Sequence, residues 1–387
     1  MGRKIGILTY FWDSNPGTFL QAFSMQQALA KRFPGDRVEV IDLKHGRFWF
    51  RPSRYDLWLP KLIEHYRRHR IYLRTTREHL PLSPTGLITD NYDKAAAFIE
   101  SQHYDLVVVG ADVILYMMAD YVRHGTPPIY WLPPSMGCKK VCCAASAREL
   151  TADMLDATMR RKLTESIRAF DLVGVRDDVT YELMEDLGLK GDPRLAKVPD
   201  PTFTFDIDQG LAKAALLRYG VDVGAPTVVV NMPRRPLCDG LVRYYRDKGF
   251  QVVSLTGGFG LVEHRVCGIS PFEWAGIPRY GKIVLTDRFH GTLFSLRNGT
   301  PVVSMQKGGR MHYTEKGLSK LYTLQRQFGG EKTNLINLDT FTDLDAAVKI
   351  TDAAMASFDA GKVERTCAQM RQQFEAFLDR VAALFEA

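Results

Sequence analysis

Short runs of aliphatic and β-branched residues, closed by Gly, Pro, Asn or Asp, alternate along this chain with stretches whose apolar residues recur every three or four positions. The first pattern predicts buried strands and the second amphipathic helices. Lys4 to Tyr10 reads as a strand, followed by a loop through Asp13, Ser14, Asn15, Pro16 and Gly17. A helix follows from about Thr18 to Arg32, with Phe19, Leu20, Phe23, Ala28 and Leu29 at helical spacing, and Val38 to Leu43 is the next strand. That order is a βαβ unit, whose crossover is expected to be right-handed. Helices are expected between Leu57 and Thr76, and a helix from Tyr92 to Gln102 leads into Tyr104 to Gly110, a strand buried on both faces. Lys140 to Ala145, Leu172 to Val175 and Leu195 to Val198 continue the strands, with helices at Thr151 to Phe170 and Val179 to Leu187.

A second series then begins, with strands at Ala225 to Asn231, Phe250 to Leu255, Ile283 to Thr286 and Pro301 to Val303. Helices are expected at Asp239 to Asp247, at Pro271 to Ile277, after Asp287, and from about Asp343 to Glu386 with a break near Gly361. The class is α/β, as two facing Rossmann-like domains at 1–205 and 206–387, with a central cleft that collects the carboxyl ends of strands from both sheets. This layout resembles the glycosyltransferase-B architecture of nucleotide-sugar glycosyltransferases.

Composition adds little to that picture until charge is mapped. At 387 residues, 45% hydrophobic and 25% charged, the chain suits two globular domains. No apolar run approaches the length that spans a bilayer, and the amino end reads as a strand rather than a leader peptide. Cys138, Cys142, Cys143, Cys238, Cys267 and Cys367 show no metal-ligand rhythm, which fits reduced thiols and a cytoplasmic location. From Lys44 to His79 there are ten Lys or Arg against three Asp or Glu, which accounts for the whole net charge of +7. The same stretch carries Phe48, Trp49, Phe50, Tyr55, Trp58, Tyr66 and Tyr72. It reads as a basic helical insertion, about 44–85, with two readings open: a solvated insertion packed on its domain, or a face for an anionic glycan or membrane. Nucleic acid is not expected, because no binding motif accompanies the charge.

The densest chemistry lies in Lys282 to Met305. Arg288 and His290 fall where a strand ends and a helix begins, a place where α/β proteins hold anions. An always-charged guanidinium beside a titratable imidazole makes a reactive pair. Arg176 follows a strand of the other half, and Asp112 ends the strand Tyr104 to Gly110. Asn15, Gly17 and Gln21 sit at the first strand–helix junction, either as a helix cap or as partners of a sugar. Lys307, Arg310 and His312 follow the strand after the central unit, and Gly257 to Gly260 form a glycine-rich loop that lacks a full dinucleotide fingerprint.

Five stretches in order resemble the polysaccharide pyruvyl transferase family. They are Asn15-Pro16-Gly17-Thr18-Phe19-Leu20-Gln21, Tyr104 to Asp112, Val173 to Asp177, Asp200-Pro201-Thr202 and Asp287-Arg288-Phe289-His290-Gly291. Ala111 stands where the family usually has Ser, and the long basic insertion is unusual. The resemblance implies transfer of a pyruvyl group from phosphoenolpyruvate, a co-substrate, to a sugar, forming a cyclic ketal with no metal or other cofactor. Under it, His290 is the general acid/base, with Arg288 and Asp112 beside it. Arg176, Arg288 and Arg310 bind the donor, and Asn15, Gly17 and Gln21 meet the acceptor, which is lipid-linked, nucleotide-linked or part of a glycan. Two other readings stay open: glycosyl transfer from a nucleotide sugar, and a glycan-binding module without turnover.

Overall fold

The structure, a computed structural model, describes residues 2–45, 59–117, 125–256, 262–306 and 319–386. Arg310, Lys307, His312, the loop Gly257 to Gly260 and the aromatics from Phe48 to Trp58 lie outside these residues. The first sheet contains β1 (Lys4–Leu8), β2 (Arg37–Lys44), β3 (Leu82–Ile88), β4 (Leu106–Val109), β5 (Lys139–Ala145), β6 (Leu172–Val175) and β7 (Leu195–Lys197). Its helices are α1 (Pro16–Arg32), α2 (Leu59–His79), α3 (Tyr92–Ser101), α4 (Ala157–Arg168) and α5 (Asp178–Met184). The second half runs through α6 (Gln209–Arg218), β8 (Thr227–Asn231), α7 (Pro236–Asp247), β9 (Gln251–Ser254), β10 (His264–Arg265) and α8 (Pro271–Gly276). It continues with β11 (Ile283–Thr286), α9 (Phe289–Arg297), β12 (Val302–Gln306), α10 (Lys320–Gln327), β13 (Leu335–Asn337), α11 (Leu344–Ala356) and α12 (Ala360–Ala383).

The strand orders are β3-β2-β1-β4-β5-β6-β7 and β10-β9-β8-β11-β12-β13, and every pairing is parallel. In each sheet the order reverses beside the first strand of the half, β1 or β8, and ligands of such sheets bind at that switch point. The central strands are apolar on both faces, Val107 to Val109 and Val228 to Val230 among them, because helices cover both sides.

Several elements differ from the sequence pattern: α6, β10, α10 and β13 have no counterpart in it, and three others depart in kind, cap or partner. Leu82–Ile88, read as the tail of the insertion, is an edge strand. Pro84 is tolerated there because the register with β2 slips between Val40 and Asp42, and the Ser83 hydroxyl accepts the Asp42 N–H at 2.9 Å in place of a carbonyl. The helix of the central unit is capped at Arg288 rather than Asp287, with no side-chain cap. The last helix, α12, leaves the second half and returns to the first sheet. Its Phe374, Phe377, Leu378 and Val381 are buried against Ile5, Ile7, Val108 and Val141.

Candidate active site

The cleft between the sheets has a volume of about 670 Å³ and is lined from both halves. At the first junction Asn15 caps α1, its Oδ1 accepting the Gly17 N–H at 3.0 Å, and Pro16 takes the first helical position. Asn15 and Gly17 both border the cleft. Gly17 is there for space: a Cβ on it would overlap Nδ1 and Cγ of the His290 ring, which reaches across from the other half. Gly17→Ala is therefore expected to push the imidazole out of place, with kcat falling by far more than the melting temperature, since alanine itself suits a helix. Parallel kinetics and thermal melts measure that split.

Gln21 does not reach the cleft. One turn further along α1 it is buried, and its Nε2 donates to Asp200 Oδ2 at 2.5 Å. Its expected contact with a sugar is replaced by a structural one. Asp200 is the centre of this buried group. Its Oδ1 accepts the Thr202 N–H at 3.0 Å and the Thr202 hydroxyl at 2.6 Å. Its Oδ2 accepts Arg176 Nη1 at 2.9 Å and lies 3.6 Å from His290 Nε2. Burial alone would raise the Asp200 carboxyl, but His290, Arg176 and Thr202 together hold it well below the usual carboxylate range.

Arg176 is thus beneath the cleft, its side chain 2% exposed and its guanidinium carbon 4.6 Å from the centre of the Phe289 ring. Its Nε and Nη2 have no hydrogen-bond partner among the described residues. Its ion pair is to Asp200 and not to the adjacent Asp177. Asp177 instead caps α5 through the Thr180 N–H at 2.9 Å.

At the central junction Arg288 lines the cleft with its exposed side chain, its Nε 3.0 Å from Asp287 Oδ1. Burial raises the Asp287 carboxyl, while Arg288 and Arg235 pull the other way. Gly291 lets α9 sit close on β11, because a methyl there would strike Thr286 and Asn231. Asp112 borders the cleft, Oδ2 accepting the Thr18 hydroxyl at 2.8 Å and Oδ1 accepting the Val113 N–H at 2.7 Å.

Several further cleft residues carry no sequence motif. Asp13, one loop residue among several, is buried enough for its carboxyl to be raised, with the Ser14 N–H, Arg68 and Arg288 pulling against that. Arg68 and Tyr72 enter from α2, inside the basic segment. Lys320 enters from α10, which is tied to α9 through Gln325 to Ser304 at 2.9 Å and Ser304 to Thr292 at 2.7 Å. Burial and the nearby Arg176 and Arg148 bring the Lys320 ammonium down to about 8. The cleft thus sets Arg68, Arg148, Arg235, Arg288 and Lys320 against Asp13, Asp112 and Asp287, a balance that favours an anion. Among the described residues no cluster of His, Cys, Asp or Glu could hold a metal ion.

Two facing parallel-sheet domains with a polar cleft at their switch points form a glycosyltransferase-B-like fold. The chain belongs to the polysaccharide pyruvyl transferase family, whose model matches residues 15–306. That span holds Gly17, Asp112, Arg176, Asp200, Arg288 and His290, whereas Lys320 lies beyond it. No curated protein matches the chain. Among solved structures it is similar to UDP-GlcNAc 2-epimerase from Methanocaldococcus jannaschii, with a TM-score of 0.55, 9% identity, and coverage of 94% of this chain and 98% of that one. It is also similar to the Anabaena protein HepE in complex with UDP, with a TM-score of 0.52, 12% identity and 99% of each chain covered. At such identities the likeness is one of fold.

Proposed function

We propose that this protein transfers the pyruvyl group of phosphoenolpyruvate to two hydroxyls of a sugar, closing a cyclic ketal in polysaccharide biosynthesis. The observation that carries this reading is His290, held between Gly17 and the buried Asp200–Arg176 pair at the wall of a cation-rich cleft. Phosphoenolpyruvate carries a carboxylate and a phosphate, and a planar guanidinium fork suits each. Arg288, with Lys320 and Arg148, serves one group, and Arg68 and Arg235 serve the other, while Arg176 acts from beneath the cleft by holding Asp200.

His290 gives a proton to the methylene carbon, and positive charge develops at the carbon that bears the phosphate. A sugar hydroxyl attacks that carbon and yields its proton to a carboxylate, for which Asp112 and Asp13 are the candidates. The carbon–oxygen bond to phosphate then breaks, and the second hydroxyl closes the ring with loss of its own proton. One phosphate leaves for each ketal formed, with no change of oxidation state. Asp200 keeps the ring oriented and balances its charge while it holds the proton.

Incubation with phosphoenolpyruvate and a panel of free, nucleotide-linked and lipid-linked sugars tests the reading. Phosphate release that depends on the acceptor, with an acid-labile product heavier by pyruvate less water, is expected. Turnover of nucleotide sugars with no use of phosphoenolpyruvate would overturn it.

Lys320 gives the reaction a pH signature. It is charged below about pH 8 and neutral above it, so affinity for the donor should hold at neutral pH and decline as pH rises past that point. Lys320→Met should show weaker affinity at neutral pH and no such decline, as read from KM for phosphoenolpyruvate on either side of pH 8.

A further inference from the structure

Helix α2 has two faces of different character. Towards the protein it sends Arg68 and Tyr72 to the cleft wall, with Thr75 and Thr76 buried beside them. Tyr72 packs in the same core cluster as Phe203, Val266 and Trp274, and the His79 ring meets the Phe272 ring at 5.0 Å. On its flank Glu64 Oε2 accepts Arg265 Nη2 of the other half at 2.8 Å. The helix is therefore fixed to both halves at the rim of the cleft.

The opposite face carries Ile63, Tyr66, Arg67, Arg70, Leu73, Arg74 and Arg77. At 3.6 residues per turn these positions fall within about 120° of the helix circumference. Ile63, Tyr66 and Leu73 are 44%, 53% and 39% exposed, three of the few large apolar side chains left in solvent among the described residues. Arg74 is paired with Glu78 at 2.8 Å, and Arg70 lies over the Tyr66 ring. Among the described residues Arg67, Arg70 and Arg77 meet no carboxylate. A solvated helix face has no need of unpaired arginines interleaved with apolar and aromatic groups. A helix lying in a lipid interface does, with apolar groups entering the acyl boundary and cations on the headgroups.

We infer that this face of α2 docks on an anionic lipid surface. The occupant follows from charge complementarity together with the apolar residues, since arginines alone would serve a polyanion equally well. The cleft wall is the other side of the same helix, so docking sets the cleft mouth about one helix diameter, roughly 10 Å, from the headgroups. That arrangement suits a lipid-anchored sugar as acceptor, a consequence that rests on the proposed reaction; the docking itself does not.

Sedimentation of the full-length protein with vesicles of phosphatidylcholine, with or without phosphatidylglycerol, tests it without any turnover. Capture is expected only by the vesicles containing phosphatidylglycerol, and it should weaken as salt is added. Each neutralised arginine should weaken capture roughly fivefold, and R67Q/R70Q/R77Q together about a hundredfold. The circular dichroism melt of that triple variant should match the unaltered protein, which shows that it is folded. Equal capture of the triple variant, equal capture by pure phosphatidylcholine, or tighter binding to duplex DNA at matched phosphate concentration would each overturn the inference.

Discussion

Alanine at His290 is expected to lower kcat by roughly 10²- to 10⁴-fold, the range of a lost general acid. The donor should still bind, because Arg288, Lys320 and Arg148 are untouched, so KM for phosphoenolpyruvate should move little. The fold should also survive. His290 sits at the cleft wall, and without it Asp200 keeps Arg176, Gln21 and Thr202 as partners. Turnover kinetics with a circular dichroism melt check both halves of the expectation, and a variant with ordinary turnover removes His290 from the mechanism.

Asp200→Ala is the substitution with the largest expected cost to stability. Arg176 is almost fully buried, and removal of its counter-charge leaves a guanidinium without water or carboxylate, at a cost of about 3–5 kcal/mol. Urea unfolding followed by tryptophan fluorescence measures it. The pH dependence has a definite sign. Asp200 is held below the usual carboxylate range in the folded chain, so its contribution is fully present at neutral pH. It is lost only as acid drops through that depressed value. Loss of stability in the unaltered protein near neutral pH would have to arise elsewhere. The double change Asp200→Ala with Arg176→Met should recover much of the loss, because an apolar pair of similar shape substitutes well for a buried ion pair.

Most strands of both sheets were legible because a strand covered on two faces is a continuous apolar run between turn residues, as in Leu106–Val109 and Ile283–Thr286, whereas the short edge strands β10 and β13 carry too few residues to show a pattern. β3 was not, because Pro84 and Pro81 punctuate it and only a register slip makes room for them. The site was legible where chemistry sits at a strand–helix junction. Arg288, His290 and Asp112 all border the cleft. It was illegible where a role depends on a distant partner. Nothing local distinguishes Gln21, one of several glutamines on α1, as the residue that meets Asp200. Asp200-Pro201-Thr202 is visible as a helix start, but the convergence of Arg176 and His290 on it is a property of the assembled halves. Lys320 had no signal at all, since only packing brings α10 to the cleft. Arg68 and Tyr72 were read as charge and bulk of the insertion, with no way to tell which face of α2 turns inward.

The return of α12 to the first sheet has a consequence for how the protein is made. Ile5, Val108 and Val141 stay without the cover of Phe374, Phe377 and Leu378 until the chain has been synthesised past α12. The amino-terminal half therefore cannot complete its own packing as it leaves the ribosome, although domains commonly do so in order of synthesis. Its exposed apolar sheet must wait through translation of the entire second half, a long-range closure that slows folding. Newborn chains arrested before Ala360 should accordingly be the species that chaperones hold and proteases find.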